Sequence, residues 1–274
     1  MSYHRPTDLI DALTLLGQGN PTILAGGTDI YPATDRPELT SDVLDITAIP
    51  SLCGITQDGS GFRIGAATKW SEIIATDLPP SFNALQLSAR EVGSIQIQNS
   101  GTIGGNLCNA SPAADGVPPL LILNASVELT SRSGTRTMPL QNFILGNRHT
   151  QLEPGEMLTA VLIPKAATAG QSHFLKLGAR KYLIISIGMV AVRLTQEAGR
   201  ITEAAVAIGA CSAVATRLES LERHLIGQTA KTATIPADLV TEALSPIDDI
   251  RADKAYRLKA ASALVTRTIR GIAT

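Results

Sequence analysis

Apolar residues recur along this 274-residue chain in short blocks, and the interval within each block assigns its element. Leu9, Ile10, Leu13 and Leu16 fall on one face of a helix behind Pro6, a residue suited to a first helical turn, and Gly17 and Gly19 end that run. The apolar run at 22–25 reads as a strand, so the chain opens on a small αβ unit. Residues 42–46 and 61–65 read as short strands, 70–75 as a helical turn, and 82–92 as a helix with Leu85, Ala89 and Val92 along one side. Residues 117–123 fit a helix begun at Pro118 and Pro119. Ser131, Arg132, Ser133 and Gly134 join 126–130 to 135–138 as a hairpin does, and 157–163 is a further strand, ended by Pro164.

Beyond Pro164 the texture changes. Residues 184–194 and 201–208, separated by Glu197, Ala198, Gly199 and Arg200, read as antiparallel strands, and 213–226, 236–244 and 253–269 as helices. The pattern predicts an α+β protein in two parts, 1–164 and 165–274, with 165–181 as the connection. No internal repeat or low-complexity tract stands out.

Composition narrows the possibilities. The length and the 44% hydrophobic content allow a sizeable core in one or two domains, and aromatics at 3% leave that core to Leu, Ile, Val and Ala. A formal charge of −1 with scattered Lys and Arg offers no basic surface for nucleic acid. No apolar run approaches the roughly 20 residues of a membrane helix; 182–194 is too short and contains Arg193. The start, MSYHRPTD, lacks a basic region followed by an apolar core, so the cytoplasm is the expected location. Cys53, Cys108 and Cys211 fit no disulfide or metal spacing, no iron–sulfur cluster is expected here, and Cys108 is expected as a small buried residue. His4, His149, His173 and His224 share no helical spacing and read as surface or structural groups.

The chemistry concentrates in 94–115, SIQIQNSGTIGGNLCNASPAAD. Gly101, Gly104 and Gly105 sit there among Ser100, Thr102, Asn106, Asn109 and Ser111, with no Lys or Arg. Glycines allow close approach and positive φ, so successive N–H groups can converge on an anion, while Asp115 accepts as a ribose hydroxyl requires. The stretch reads either as a grip for a nucleotide diphosphate or as an irregular surface loop. A second stretch, TILAGGTDIYP, carries an apolar run into Gly26, Gly27, Thr28 and Asp29, a second candidate phosphate-and-ribose grip. Neither has the G-x-G-x-x-G or P-loop fingerprint. No nucleophile–base pair or metal cluster is evident, so a bound cofactor would carry the chemistry.

Together and in this order, the two stretches resemble the FAD-binding subunit of the molybdenum hydroxylases, the family of the carbon monoxide dehydrogenase medium subunit and the flavin portion of xanthine dehydrogenase. The resemblance spans the chain, from Tyr3-His4-Arg5-Pro6 and Asp11-Ala12-Leu13 through AGGTD and NSGTIGGNLCNASPAAD. It continues in Pro154-Gly155-Glu156 and Phe174-Leu175-Lys176-Leu177-Gly178-Ala179-Arg180, and closes on Ile208-Gly209-Ala210-Cys211.

The resemblance implies a two-lobed FAD-binding domain of the molybdopterin dehydrogenase flavoprotein (PCMH-like) type, with lobes of about 1–55 and 56–164. A smaller α+β domain with a three-stranded sheet and helices would follow. It implies that Ile23, Leu24, Ala25, Gly26, Gly27, Thr28, Asp29 and Ile30, with Thr102, Ile103, Gly104, Gly105 and Asn106, wrap the diphosphate and adjoining ribityl and ribose groups. Asn109 and Ser111 add polar contacts, Asp115 takes the sugar, Val92 and Leu158 flank the isoalloxazine, and Lys176 and Tyr182 lie near it. It implies a relay in which a large subunit holds molybdopterin, a small subunit holds two [2Fe–2S] clusters, and FAD passes electrons to NAD, oxygen or a quinone, in an (αβγ)2 assembly. A free-standing FAD oxidoreductase and a degenerate flavin subunit acting as scaffold are the alternatives.

Overall fold

The computed structural model describes residues 2–32, 41–181 and 183–272; Tyr182, expected near the flavin, lies outside the described residues. Asp8 opens the first helix by accepting the Asp11 N–H at 3.0 Å, so Pro6 lies ahead of the helix instead of in its first turn. That helix, α1 (Leu9–Gln18), lies between β1 (Tyr3–His4) and β2 (Thr22–Leu24), and β3 (Val43–Asp45) inserts between the two strands in a parallel sheet ordered β1-β3-β2. Ala12, Leu13 and Leu16 of α1 pack on Leu44, Ile46 and Ile49, whereas Ile10 is 77% exposed. Helical rotation of about 100° per residue carries Ile10 off the face that Ala12 completes.

The next stretch interleaves strands and helices: β4 (Ile55–Gln57), β5 (Gly61–Gly65), α2 (Trp70–Ala75), α3 (Asn83–Glu91), α4 (Ile95–Gln98), α5 (Ile103–Asn109) and α6 (Val117–Ile122). Then come β6 (Ser126–Ser131), β7 (Gly134–Pro139), α7 (Leu140–Phe143), a hairpin of β8 (Ile144–Gly146) and β9 (His149–Thr150), and β10 (Met157–Pro164). The five-stranded sheet is ordered β4-β5-β10-β6-β7, so the last strand made occupies the centre, antiparallel to both neighbours. This explains the nearly unbroken apolar run of β10: both faces of a central strand are covered. Trp70, Phe82, Leu85, Ile103, Leu107, Leu120 and Phe143 fill the core against Val127 and Val161. Within the glycine stretch, α4 and α5 are helical, and the residues around them form the turns and loops.

The remainder forms an antiparallel sheet, β11 (Gln171–Leu177), β12 (Gly188–Glu197), β13 (Arg200–Gly209) and the two-residue β14 (Thr216–Arg217), in that order. Three helices follow: α8 (Glu219–Leu225), α9 (Ala237–Thr241) and α10 (Lys254–Ile272). Ala198 and Gly199 turn β12 into β13 with φ of +47° and +76°, the two-residue geometry that suits strand twist. Val190, Val192, Val206 and Ile208 face Leu264, Val265 and Ile269 of α10. Their alternates, Met189, Ala191, Ala205 and Ala207, join the core of the preceding sheet and helices. Four sequence expectations change here: the expected three-stranded sheet gains the short β14, and the strand expected over 184–194 begins only at Gly188. Strand β11 occupies part of 165–181, and the helix expected over 213–226 is confined to Glu219–Leu225 because β14 precedes it. Among the described residues no helix is long and apolar enough to cross a membrane.

Candidate functional site

The two glycine stretches touch. A Cβ on Gly26 would lie 2.1 Å from the Ser100 carbonyl oxygen and 2.7 Å from the Gly101 Cα, so only glycine lets the β2 turn press on the segment before α5. Gly27 then takes φ +67° and turns the chain. Among the described residues, none of the backbone N–H groups from Gly26 to Ile30 donates to a protein acceptor. They line a cavity of about 450 Å³, within the roughly 300–1,000 Å³ of small-molecule and cofactor sites.

The second stretch plays a different part from the one its glycines suggest. Thr102 caps α5 by accepting the Gly105 N–H at 3.1 Å. The Ile103 N–H donates to the Thr68 carbonyl, that of Gly104 to Ala66, and that of Asn106 to Thr102. Gly101, Gly104 and Gly105 all keep negative φ. These N–H groups are thus spent inside the protein, and the converging anion nest expected from 101–105 is corrected: α5 is a wall, held close because a Gly104 Cβ would lie 2.7 Å from the Ala66 oxygen. Among the described residues, the run of successive N–H groups without a protein acceptor belongs to the Gly26 turn.

Around the cavity stand Ile23, Ala25, Gly26, Gly27, Thr28, Asp29 and Ile30 on one side, and Thr102, Gly104, Gly105, Asn106 and Asn109 on the other. Val92, at the C-terminus of α3, Leu158, on β10, and Ile97, Leu152 and Met157 add apolar side chains to the lining. Trp70, the chain's single tryptophan, is buried in the wall. Asn106 Oδ1 is buried with no partner among the described residues. Sequence reasoning missed Trp70 and Arg148, which come from segments distant in the chain, and also Ile97, inside the glycine stretch, and Met157, beside Leu158. Cys108, expected buried, is exposed and lines the cavity. One turn of α5 separates it from the buried Gly104.

Five expected residues do not line the cavity: Leu24 and Ile103 are buried in the core, and Ser111, Asp115 and Lys176 are engaged elsewhere. Ser111 Oγ accepts the Ala113 N–H in a local turn. Asp115 and Lys176 pair at 2.6 Å, with side chains 9% and 8% exposed. Ser186 donates to the other Asp115 oxygen at 2.6 Å, and Lys176 also donates to the Glu91 carbonyl beside Val92. Burial pushes the Asp115 carboxyl above its ordinary range, and the Lys176 ammonium and the Ser186 hydroxyl offset part of that rise.

The FAD binding domain in molybdopterin dehydrogenase matches residues 1–166, and the CO dehydrogenase flavoprotein C-terminal domain matches 173–272. The chain belongs to this family. It is a flavoprotein subunit of the molybdenum hydroxylase type, an oxidoreductase component whose cofactor is FAD. The xanthine dehydrogenase FAD-binding subunit of Escherichia coli O157:H7 is 32% identical over 98% of this chain and 94% of its own length. The nicotinate dehydrogenase FAD-subunit of Eubacterium barkeri is 36% identical over 86% of this chain and 83% of its own. Reconstituted CO dehydrogenase from Oligotropha carboxidovorans superposes with a TM-score of 0.88 at 29% identity, covering 100% of this chain and 98% of that one. Quinoline 2-oxidoreductase from Pseudomonas putida 86 gives the same score and identity, covering 100% and 96%.

The flavoprotein's cavity fits such a cofactor on two counts. Its Gly26 turn offers unspent N–H donors, which an anion needs. Its lining also carries apolar side chains, as a ring system needs.

Proposed function

We propose that this chain is the FAD-carrying middle member of a heterotrimeric molybdenum hydroxylase, beside a larger molybdopterin subunit and a smaller subunit with two [2Fe–2S] clusters. In this reading electrons arrive from the partner's clusters and leave to an external acceptor, NAD, oxygen or a quinone. Bound FAD supplies one- and two-electron redox chemistry, and the protein supplies binding, orientation and shielding. The observation that carries the reading is the meeting of the two glycine stretches at a cavity with apolar lining, where the N–H groups of Gly26–Ile30 have no protein acceptor among the described residues.

In the same reading the Gly26 turn holds the diphosphate, Asn106 and Asn109 meet the ribityl and ribose hydroxyls, and Val92 and Leu158 flank the isoalloxazine. Lys176, tied to the Glu91 carbonyl next to Val92, sets a positive charge behind that end, and Asp115 holds the ammonium in place. Residues 1–164 serve as the FAD domain and 165–274 as the part that covers it. The end of β10 at Pro164 and the separate β11–β14 sheet support this division. The substrate is chosen by the molybdenum subunit; the relatives are named for xanthine, nicotinate, carbon monoxide and quinoline. The complex works in the cytoplasm.

The test is the visible spectrum of the purified chain, with the released chromophore identified by mass, and a pull-down of native partners. Equimolar FAD and co-purification of one larger and one smaller subunit are expected. A chain that takes up no FAD even with those subunits present would overturn the reading and leave a scaffold.

A further inference from the structure

Neither glycine stretch contains a cation, yet the fold brings one to the cavity. Arg148 sits in the turn between β8 and β9, more than a hundred residues from the Gly26 turn, and lines the same cavity. Its guanidinium pairs with Asp29 at 3.1 Å, with side chains 60% and 48% exposed. Its φ of +55° is a conformation that a residue with a Cβ adopts at a cost, and such outliers gather at ligand clamps.

Asp29 raises a difficulty that Arg148 resolves. The Asp29 carboxylate belongs to the very turn whose N–H groups are open, so alone it would repel any anion seated there. An exposed ion pair is worth only about 0–1 kcal/mol, so exchanging its acceptor is cheap. A guanidinium offers a fork of donors that matches a phosphate as well as a carboxylate.

We infer that Arg148 is the cationic clamp of this cavity: it neutralises Asp29 in the empty protein and turns its guanidinium to a diphosphate oxygen when a nucleoside diphosphate binds. The clamp gives the cavity its preference for a diphosphate-containing flavin over riboflavin, and so deepens the flavin reading on which it rests. Asp29 is the guard, admitting an anion only where Arg148 can compensate it.

The experiment titrates the full chain with FAD, ADP and riboflavin at low and moderate salt, following the fluorescence of Trp70 in the cavity wall. Arg148→Gln should weaken FAD and ADP about ten-fold or more, as loss of a charge-assisted contact does, and flatten the salt dependence. Riboflavin affinity should stay unchanged, and Arg148→Lys should recover part of the loss. Adding Asp29→Asn to Arg148→Gln should also recover affinity, because the uncompensated carboxylate is gone. Equal FAD affinity and salt dependence in wild type and Arg148→Gln would overturn the clamp, as would an equal loss for riboflavin, which signals a purely structural role. A wild-type chain that binds none of the three ligands would instead overturn the flavin reading itself, so the two failures are distinct.

Discussion

Gly26 and Gly104 are needed for what surrounds them. Each faces backbone at under 3 Å from where a methyl group would stand, Ser100 in one case and Ala66 in the other. Backbone cannot swing aside as a side-chain tip can, so Gly104→Ala should cost roughly 1–3 kcal/mol of stability. It should also lower FAD affinity by moving α5 into the cavity. A thermal melt with and without FAD checks this, and an unchanged melt with unchanged uptake would refute it. The glycines themselves were legible in the sequence. Their job was not, because Ser100 and Ala66 become neighbours only after folding. The same holds for Cys108, whose residue type favours burial but whose place on α5 turns it to the cavity.

The elements beyond the cavity owe their ends to polar contacts. Arg257 of α10 is buried and donates to the Ile187 and Ala210 carbonyls and, at 2.7 Å, to Asp249. Burial would raise the Asp249 carboxyl, but the N–H groups of Arg251 and Ala252 and the Arg257 guanidinium outweigh it and hold it down at about 2. The folded value lies below the ordinary value of about 3.9, so this stabilisation is complete above about pH 4 and is lost as pH falls toward 2. Asp249→Asn should therefore be less stable than wild type at pH 7, by roughly 1–3 kcal/mol after discounting for the partly exposed carboxylate. The gap should narrow by pH 3, and urea unfolding at both pH values measures it. Most elements with a strong period were legible in the sequence, among them β5, α2, α6 and β10. Strand β11 was not, because QSHFLKL places polar residues on an otherwise apolar alternation, and its partner β12 lies beyond a loop. Nor was α5, since glycine disfavours helix by about 1 kcal/mol and only the contact with Ala66 overrides that preference.

At the scale of the whole molecule, one buried pair ties the glycine segment to the last sheet. Asp115 precedes α6, Lys176 lies on β11 and Ser186 lies just before β12, so the cluster spans both parts of the chain. Lys176→Met should cost about 3–5 kcal/mol, because it leaves a buried carboxylate unpaired. The pair Lys176→Met with Asp115→Leu should recover part of that, and chemical denaturation of the single and double variants tests it. Strictly additive costs would show that the two do not act together. By itself the sequence determined the α+β character, the family and the two glycine stretches, because local periods and short motifs are written in consecutive residues. Only the tertiary structure decided which stretch keeps free N–H groups, that Asp115 and Lys176 pair away from the cavity wall, and that Arg148 reaches Asp29. Hydrogen-bond donors and charges have finite valence, and which partner claims each one is settled only when distant segments meet.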